Sequence, residues 1–211
     1  MVVGGNVPAV LLLASAVCVV AAGCQQPAYE VRYEINTTPS VVENEPPEDG
    51  PRTSEIAAEM TWNLTSAALE LRVSNRADTT AMIVWKDATV AYDGGEPDPL
   101  LCGSPAANPD LPQEPTAIPR RGQVVLDAIP ESAAEWEWLP NRVMGGSWRA
   151  SRDIMGVEAP EGATEEELLA AARSAVGHRL MVRVPVRIGS RLLIHSYDMR
   201  VKGAATYRAY H

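Results

Sequence analysis

From Tyr29 onward the chain alternates apolar and polar residues. In Tyr29-Glu30-Val31-Arg32-Tyr33-Glu34-Ile35 every second side chain is aromatic or aliphatic, and charges fill the gaps. A period of two puts successive side chains on opposite faces, so the segment predicts a half-buried strand. Ile56–Leu64, where a short helical start is an alternative, and Leu69–Val73 repeat the spacing. Asn75–Thr79 reads as a turn, because Asn and Asp side chains stabilise turns. Ala81–Tyr92, dense in Ile, Val, Thr, Trp and Tyr, predicts a fourth strand that stops at Asp93-Gly94-Gly95. Gln123–Ile129 predicts a fifth, ended by Pro130. Leu180–Ile188 and Leu192–Val201 alternate on either side of Gly189-Ser190, a hairpin turn with Gly at its first central position. Pro185 has no N–H to give a ladder, which places its strand at an edge or beside a bulge.

The period changes once. Thr164-Glu165-Glu166-Glu167 is a capping box, its acids suit the positive end of a helix, and Leu168, Leu169, Ala172 and Val176 form an apolar side. Gly177 stands where a terminating glycine belongs. Prolines interrupt the pattern twice, across 37–53 and across 96–122, and both stretches read as mobile loops. About seven strands with one helix at about 165–176 predict a mostly β protein, an Ig-like antiparallel β-sandwich with the helix inserted between strands five and six.

The N-terminus departs from this pattern. Val7–Ala22 is almost wholly apolar, but sixteen helical residues span only about 24 Å, short of the roughly 30 Å hydrocarbon core. A secretory signal fits better than a spanning helix, although Met1–Asn6 carries no Lys or Arg. The run closes on Val20-Ala21-Ala22-Gly23-Cys24, which resembles a bacterial lipoprotein signal. The resemblance implies cleavage between Gly23 and Cys24 and acylation of Cys24; Ala21 stands where Leu is usual. Cys18 is a poorer candidate because bulky Val17 precedes it. The alternative is an ordinary signal cleaved near Ala22-Gly23, with Cys24 a free thiol. Gln25, in place of an inner-membrane-retaining Asp, implies the outer membrane, periplasmic or surface-facing. The organisation expected is a signal at 1–23, a lipidated tether at 24–28 and a single domain at 29–211. Whether Tyr29–Ile35 belongs to the domain or to the tether stays open.

Composition narrows the function classes. The signal has no charged side chain, so the net charge of −9 belongs to the mature part, which is ill suited to binding nucleic acid. Beyond Cys24 the mature chain has only Cys102, which excludes an intramolecular disulfide once Cys24 is acylated. Cys102 is then a buried thiol or an exposed one that dimerises. Phe is absent, so Trp, Tyr, Met and branched aliphatics must fill the core.

No residue pattern specifies a reaction. His178, His195 and His211 share no helix face, and His195 reads as a half-exposed strand residue. Gly145-Gly146-Ser147-Trp148-Arg149 lacks the second glycine of a nucleophile elbow. Asp93, Glu96 and Asp98 lack the spacing of a calcium loop. No catalytic residue, metal site or cofactor is expected. Trp136, Trp138 and Trp148 are the candidate contact for a protein partner, with core filling as the alternative.

Several short segments also resemble a group of bacterial lipoproteins of unestablished activity: Leu71–Asn75, Ile83–Ala88, Ala117-Ile118-Pro119, Ala128-Ile129-Pro130, Trp148 and Val184-Pro185-Val186. The resemblance spans most of residues 60–201 and departs at Tyr197, Met199 and the proline-rich loop. It supports compartment and fold rather than activity. The expectation is a lipid-anchored cell-envelope protein, not an enzyme, held to the membrane through Cys24 and acting as an interaction or structural module with another envelope protein. The alternative is an extracytoplasmic lipoprotein that binds a small ligand or metal, and an envelope hydrolase ranks last.

Overall fold

A computed structural model describes residues 29–44, 58–103, 110, 112–138, 145–160 and 162–208. Gly23, Cys24, the tether and His211 lie outside the described residues. The strands are β1 (Tyr29–Asn44), β2 (Ala58–Thr65), β3 (Leu69–Asn75), β4 (Ala81–Ile83), β5 (Thr89–Tyr92), β6 (Asp98–Cys102), β7 (Thr116–Ile118), β8 (Gln123–Pro130), β9 (Ala134–Trp138), β10 (Gly146–Ala150), β11 (Arg179–Ile188) and β12 (Arg191–Arg208). The α-helix is α1 (Glu165–Ala172).

The predicted sandwich is not what forms. One antiparallel sheet runs β12-β1-β2-β3-β8-β6-β5-β11, and β11 pairs back onto β12, closing an eight-stranded barrel. The β11–β12 hairpin causes the closure. It pairs over its whole length, from Arg179↔Arg200 to Ile188↔Arg191, while the other edge of β12 pairs with β1 from Tyr29↔Arg208 to Asn44↔Leu192. The last hairpin thereby joins the first strand. A sandwich and a barrel both need apolar residues at every second position, so alternation alone could not separate them.

Two strands run further than their alternation predicts, each because a partner is present. β1 continues through the expected loop to Asn44 along β12, and β12 continues past Val201 to Arg208 along β1. Conversely, Ala81–Tyr92 is broken: Trp85–Asp87 forms a 3-10 turn between β4 and β5. Trp85 is buried there, and its Nε1–H donates to Thr116 Oγ1 at 2.8 Å. β5 pairs with Leu180–Arg183 and β4 with Val186–Ile188, so Pro185 falls where one neighbour hands over to the other. The proline-rich stretch expected to be a loop contributes β6, which fills the ring between β5 and β8, and β7, which pairs with β4.

The interior is filled by the inward positions of each strand, among them Val31, Tyr33, Leu64, Leu71, Leu100, Leu180 and Met199. Cys102 is a buried free thiol. One end of the barrel is covered. Ile154 is buried there and its N–H donates to the Ser66 carbonyl at 2.9 Å, while the Tyr33 hydroxyl donates to Asp153 Oδ2 at 2.7 Å. α1 packs on β1 and β12 at this end, with Thr206 Oγ1 donating to Glu165 at 2.8 Å. Its capping box forms as expected: Thr164 accepts from the Glu167 N–H and Glu167 accepts from the Thr164 N–H. Gly177, at φ +99°, then donates to the Val201 carbonyl.

Candidate functional site

The ring is incompletely zipped at one seam. β1 and β2 pair only at Arg32↔Thr65 and Tyr33↔Leu64. Continuing that register would set Thr37 against Met60 and Pro39 against Ala58, but the strands separate instead. Opposite Glu34 and Ile35 the register slips by one residue, Lys202, a bulge on β12, and Pro39, lacking an N–H, sits on the unpaired edge where proline is tolerated. The opening is a pocket of about 480 Å³, lined by Thr37, Pro39 and Val41 of β1, by Ala58, Glu59, Met60, Thr61 and Trp62 of β2, and by His195 and Tyr197 of β12. Pairing of Pro39 with Tyr197 and of Val41 with His195 puts these four side chains on one face of the sheet. Trp62 meets Tyr197 edge to face, with ring centroids 5.5 Å apart at 68°.

His195 is the distinctive group on this wall. It is 1 % exposed, and among the described residues neither ring nitrogen meets a hydrogen-bonding group. Burial pushes its pKa down to about 4, so the imidazole is neutral at neutral pH, with one nitrogen a donor and the other an acceptor. The buried indole N–H of Trp62 likewise has no partner among the described residues. Each such orphan costs about 1–3 kcal/mol, and folded proteins satisfy nearly all their buried polar groups. Two of them on the lining of one pocket make it the candidate site. The Tyr197 hydroxyl is pushed up by burial and, secondarily, by the Glu59 carboxylate. Glu59 is the charged residue of the lining, and it is ion-paired with Arg76.

His195 was expected to be half-exposed, and the structure buries it. The signal was present in the sequence: Leu193, His195, Tyr197, Met199 and Val201 are successive alternate positions, all buried on β12. Two steps back from the recognised apolar face would have reached the histidine.

The remaining candidates separate. A second pocket of about 270 Å³ is lined by residues including Tyr92, Asp93, Arg152, Asp153 and His178. Asp93, at φ +48°, accepts from the Arg179 N–H at 2.8 Å and lies 2.5 Å from His178 Nδ1, and these contacts hold its carboxyl below the usual range. Burial pushes Asp153 up, opposed by hydrogen bonds from Tyr33 and the Met155 N–H. Asp98 accepts from the Ser132 N–H. Among the described residues, no three His, Cys, Asp or Glu side chains converge as a metal site would require. Ser147 is buried in β10, opposite Glu137.

The tryptophan segment forms a ribbon apart from the barrel sheet, β9 paired with β10. Trp136 and Trp148 are cross-strand partners with centroids 5.3 Å apart at 72°, whereas Trp138 is 58 % exposed. The three therefore split into a packed pair and one ring facing solvent.

The fold and site define a closed antiparallel barrel with a lateral, aromatic-lined pocket. No family model matches the chain, and neither a curated protein nor a solved structure matches it.

Proposed function

We propose that this chain is a non-enzymatic, lipid-anchored binding protein of the cell envelope, whose barrel admits a small molecule through the seam between β1 and β2. The observation that carries the reading is His195, buried without a protein partner on the wall of a 480 Å³ pocket. A fold does not retain such a group for stability, and a ligand that reaches it recovers the lost hydrogen bonds. Apolar walls with a few polar groups are the usual make-up of a ligand site, and an eight-stranded barrel is wide enough either to be filled by side chains or to hold one small ligand. General-base chemistry would need a partner that orients the imidazole, and among the described residues His195 has none. The lipid anchor is the expectation from Cys24, and the envelope location follows from it.

Native mass spectrometry of the mature protein from membranes tests the reading. The wild type should carry a species of constant mass, and Thr37→Trp, which fills the seam from an exposed position, should lose it. An empty wild type whose His195 resonances stay unchanged across a small-molecule library would overturn it.

A second reading, contact with another envelope protein, is favoured by the exposed Trp138 alone. A defined crosslink on intact membranes that disappears in Trp138→Ala would support it.

A further inference from the structure

We infer that the pocket selects an uncharged amphiphile whose polar end both donates and accepts hydrogen bonds, an alcohol or a primary amide; the inference rests on the binding reading above.

The chemistry of the two orphaned groups sets the polar end. Trp62 Nε1–H can only donate. His195 is a buried imidazole with one donor and one acceptor nitrogen, and the charged form is disfavoured by desolvation. A hydroxyl or a primary amide can accept from either N–H and donate to the bare imidazole nitrogen. A carboxylate can only accept, so the imidazole acceptor stays unmet. A quaternary ammonium can do neither, and an alkane leaves all the orphans as they are.

Charge argues the same way. The lining contains no Lys or Arg to balance an anion, and its charged residue, Glu59, is acidic. Glu59 lies on the exposed face of β2, already paired with Arg76, and so does not reach inward as a counter-ion for a buried cation. An ion at His195 would therefore be desolvated without compensation. The body of the ligand is set by Met60, Trp62, Tyr197, Pro39 and Val41, an apolar surface with an edge-to-face aromatic corner.

The test is a series with one tail and five ends: octanol, octanamide, octanoate, octyltrimethylammonium and octane. They are titrated calorimetrically at neutral pH into the protein from Gln25 onward, which lacks both the apolar segment and Cys24 and so keeps detergent and lipid out of the measurement. The His195 imidazole resonances are followed in parallel; only His178 and His211 share that spectral region. Octanol and octanamide should bind at least about tenfold more tightly than the other three and shift His195. In His195→Phe, which removes the orphan and should not impair folding, the preference for octanol over octanoate should fall to less than about threefold. Trp62→Phe should weaken the alcohol and the amide while leaving octane unchanged. Equal affinity for all five ends would overturn the selectivity and leave the binding reading standing. No binding by any of them, in wild type and Thr37→Trp alike, would overturn both.

Discussion

At the residue scale, His195 links the pocket to pH. Its pKa is 6.5 in the unfolded chain and about 4 in the barrel. Above the higher value both states are neutral and the residue makes no difference to stability. As pH falls through that value, the unfolded chain takes up a proton that the folded chain refuses, so stability declines down to the lower value and levels off below it. The gap amounts to about 3 kcal/mol. Urea unfolding of wild type and His195→Phe between about pH 7 and pH 4 should show this decline only in the wild type, and parallel profiles would refute it. Tyr33 makes a different contribution. Its hydroxyl offsets part of the cost of burying Asp153. Tyr33→Phe should therefore destabilise by about 1–3 kcal/mol and raise the Asp153 pKa further, measurable by denaturation and by carboxyl NMR titration. Of these two residues, Tyr33 was legible as an inward strand position, while its partner was not, since Asp153 lies 120 residues away.

At the element scale, local signals succeeded where the chain satisfies its own groups. The α1 capping box is closed by residues three apart, and Thr164→Ala should cost about 1 kcal/mol in thermal or urea denaturation. The β9–β10 ribbon depends on a tight contact: a Cβ at Gly146 would lie 2.2 Å from the Glu137 carbonyl oxygen and 2.8 Å from the Trp136 ring. Gly146→Ala should abolish the exciton circular-dichroism band of the Trp136–Trp148 pair, while the barrel, whose sheet is separate, should unfold at nearly the wild-type temperature. Local signals failed where a partner strand decided. Alternation is blurred by Thr37-Thr38-Pro39-Ser40, yet β12 holds this stretch in the sheet. The open seam has its own signature. Amides of β1 beyond Tyr33 that point toward β2 should exchange with solvent much faster than those bonded to β12, and uniform protection along β1 would mean the seam is closed.

At the scale of the whole molecule, barrel closure sets where the pocket stands. β1 starts at Tyr29, beside the end covered by Ile154 and α1, and reaches the pocket at Thr37–Val41. Twelve residues of strand span at most about 40 Å. Were Cys24 lipidated, as proposed, the four residues from Gln25 to Ala28 would add at most about 14 Å, which would set the covered end nearest the bilayer and carry the pocket away from it. Octanol should then bind equally well to the anchored protein in nanodiscs, after correction for partitioning into the lipid, and to the protein from Gln25 onward. A tenfold difference would place the mouth at the membrane surface instead.

The sequence by itself determined the mostly β character, the capped helix, the hairpin at Gly189 and most inward positions, because each follows from alternation or capping among near neighbours in the chain. The proposed lipid anchor at Cys24 also rests on a short local pattern. Tertiary structure alone decided that the sheet closes into a barrel, that β1 and β2 part after Tyr33, and that His195 and Trp62 meet at one pocket. The closure and the pocket depend on edges that pair across more than a hundred residues, the parting on where β1 leaves β2, and a period of two is the same whichever partner a strand finds.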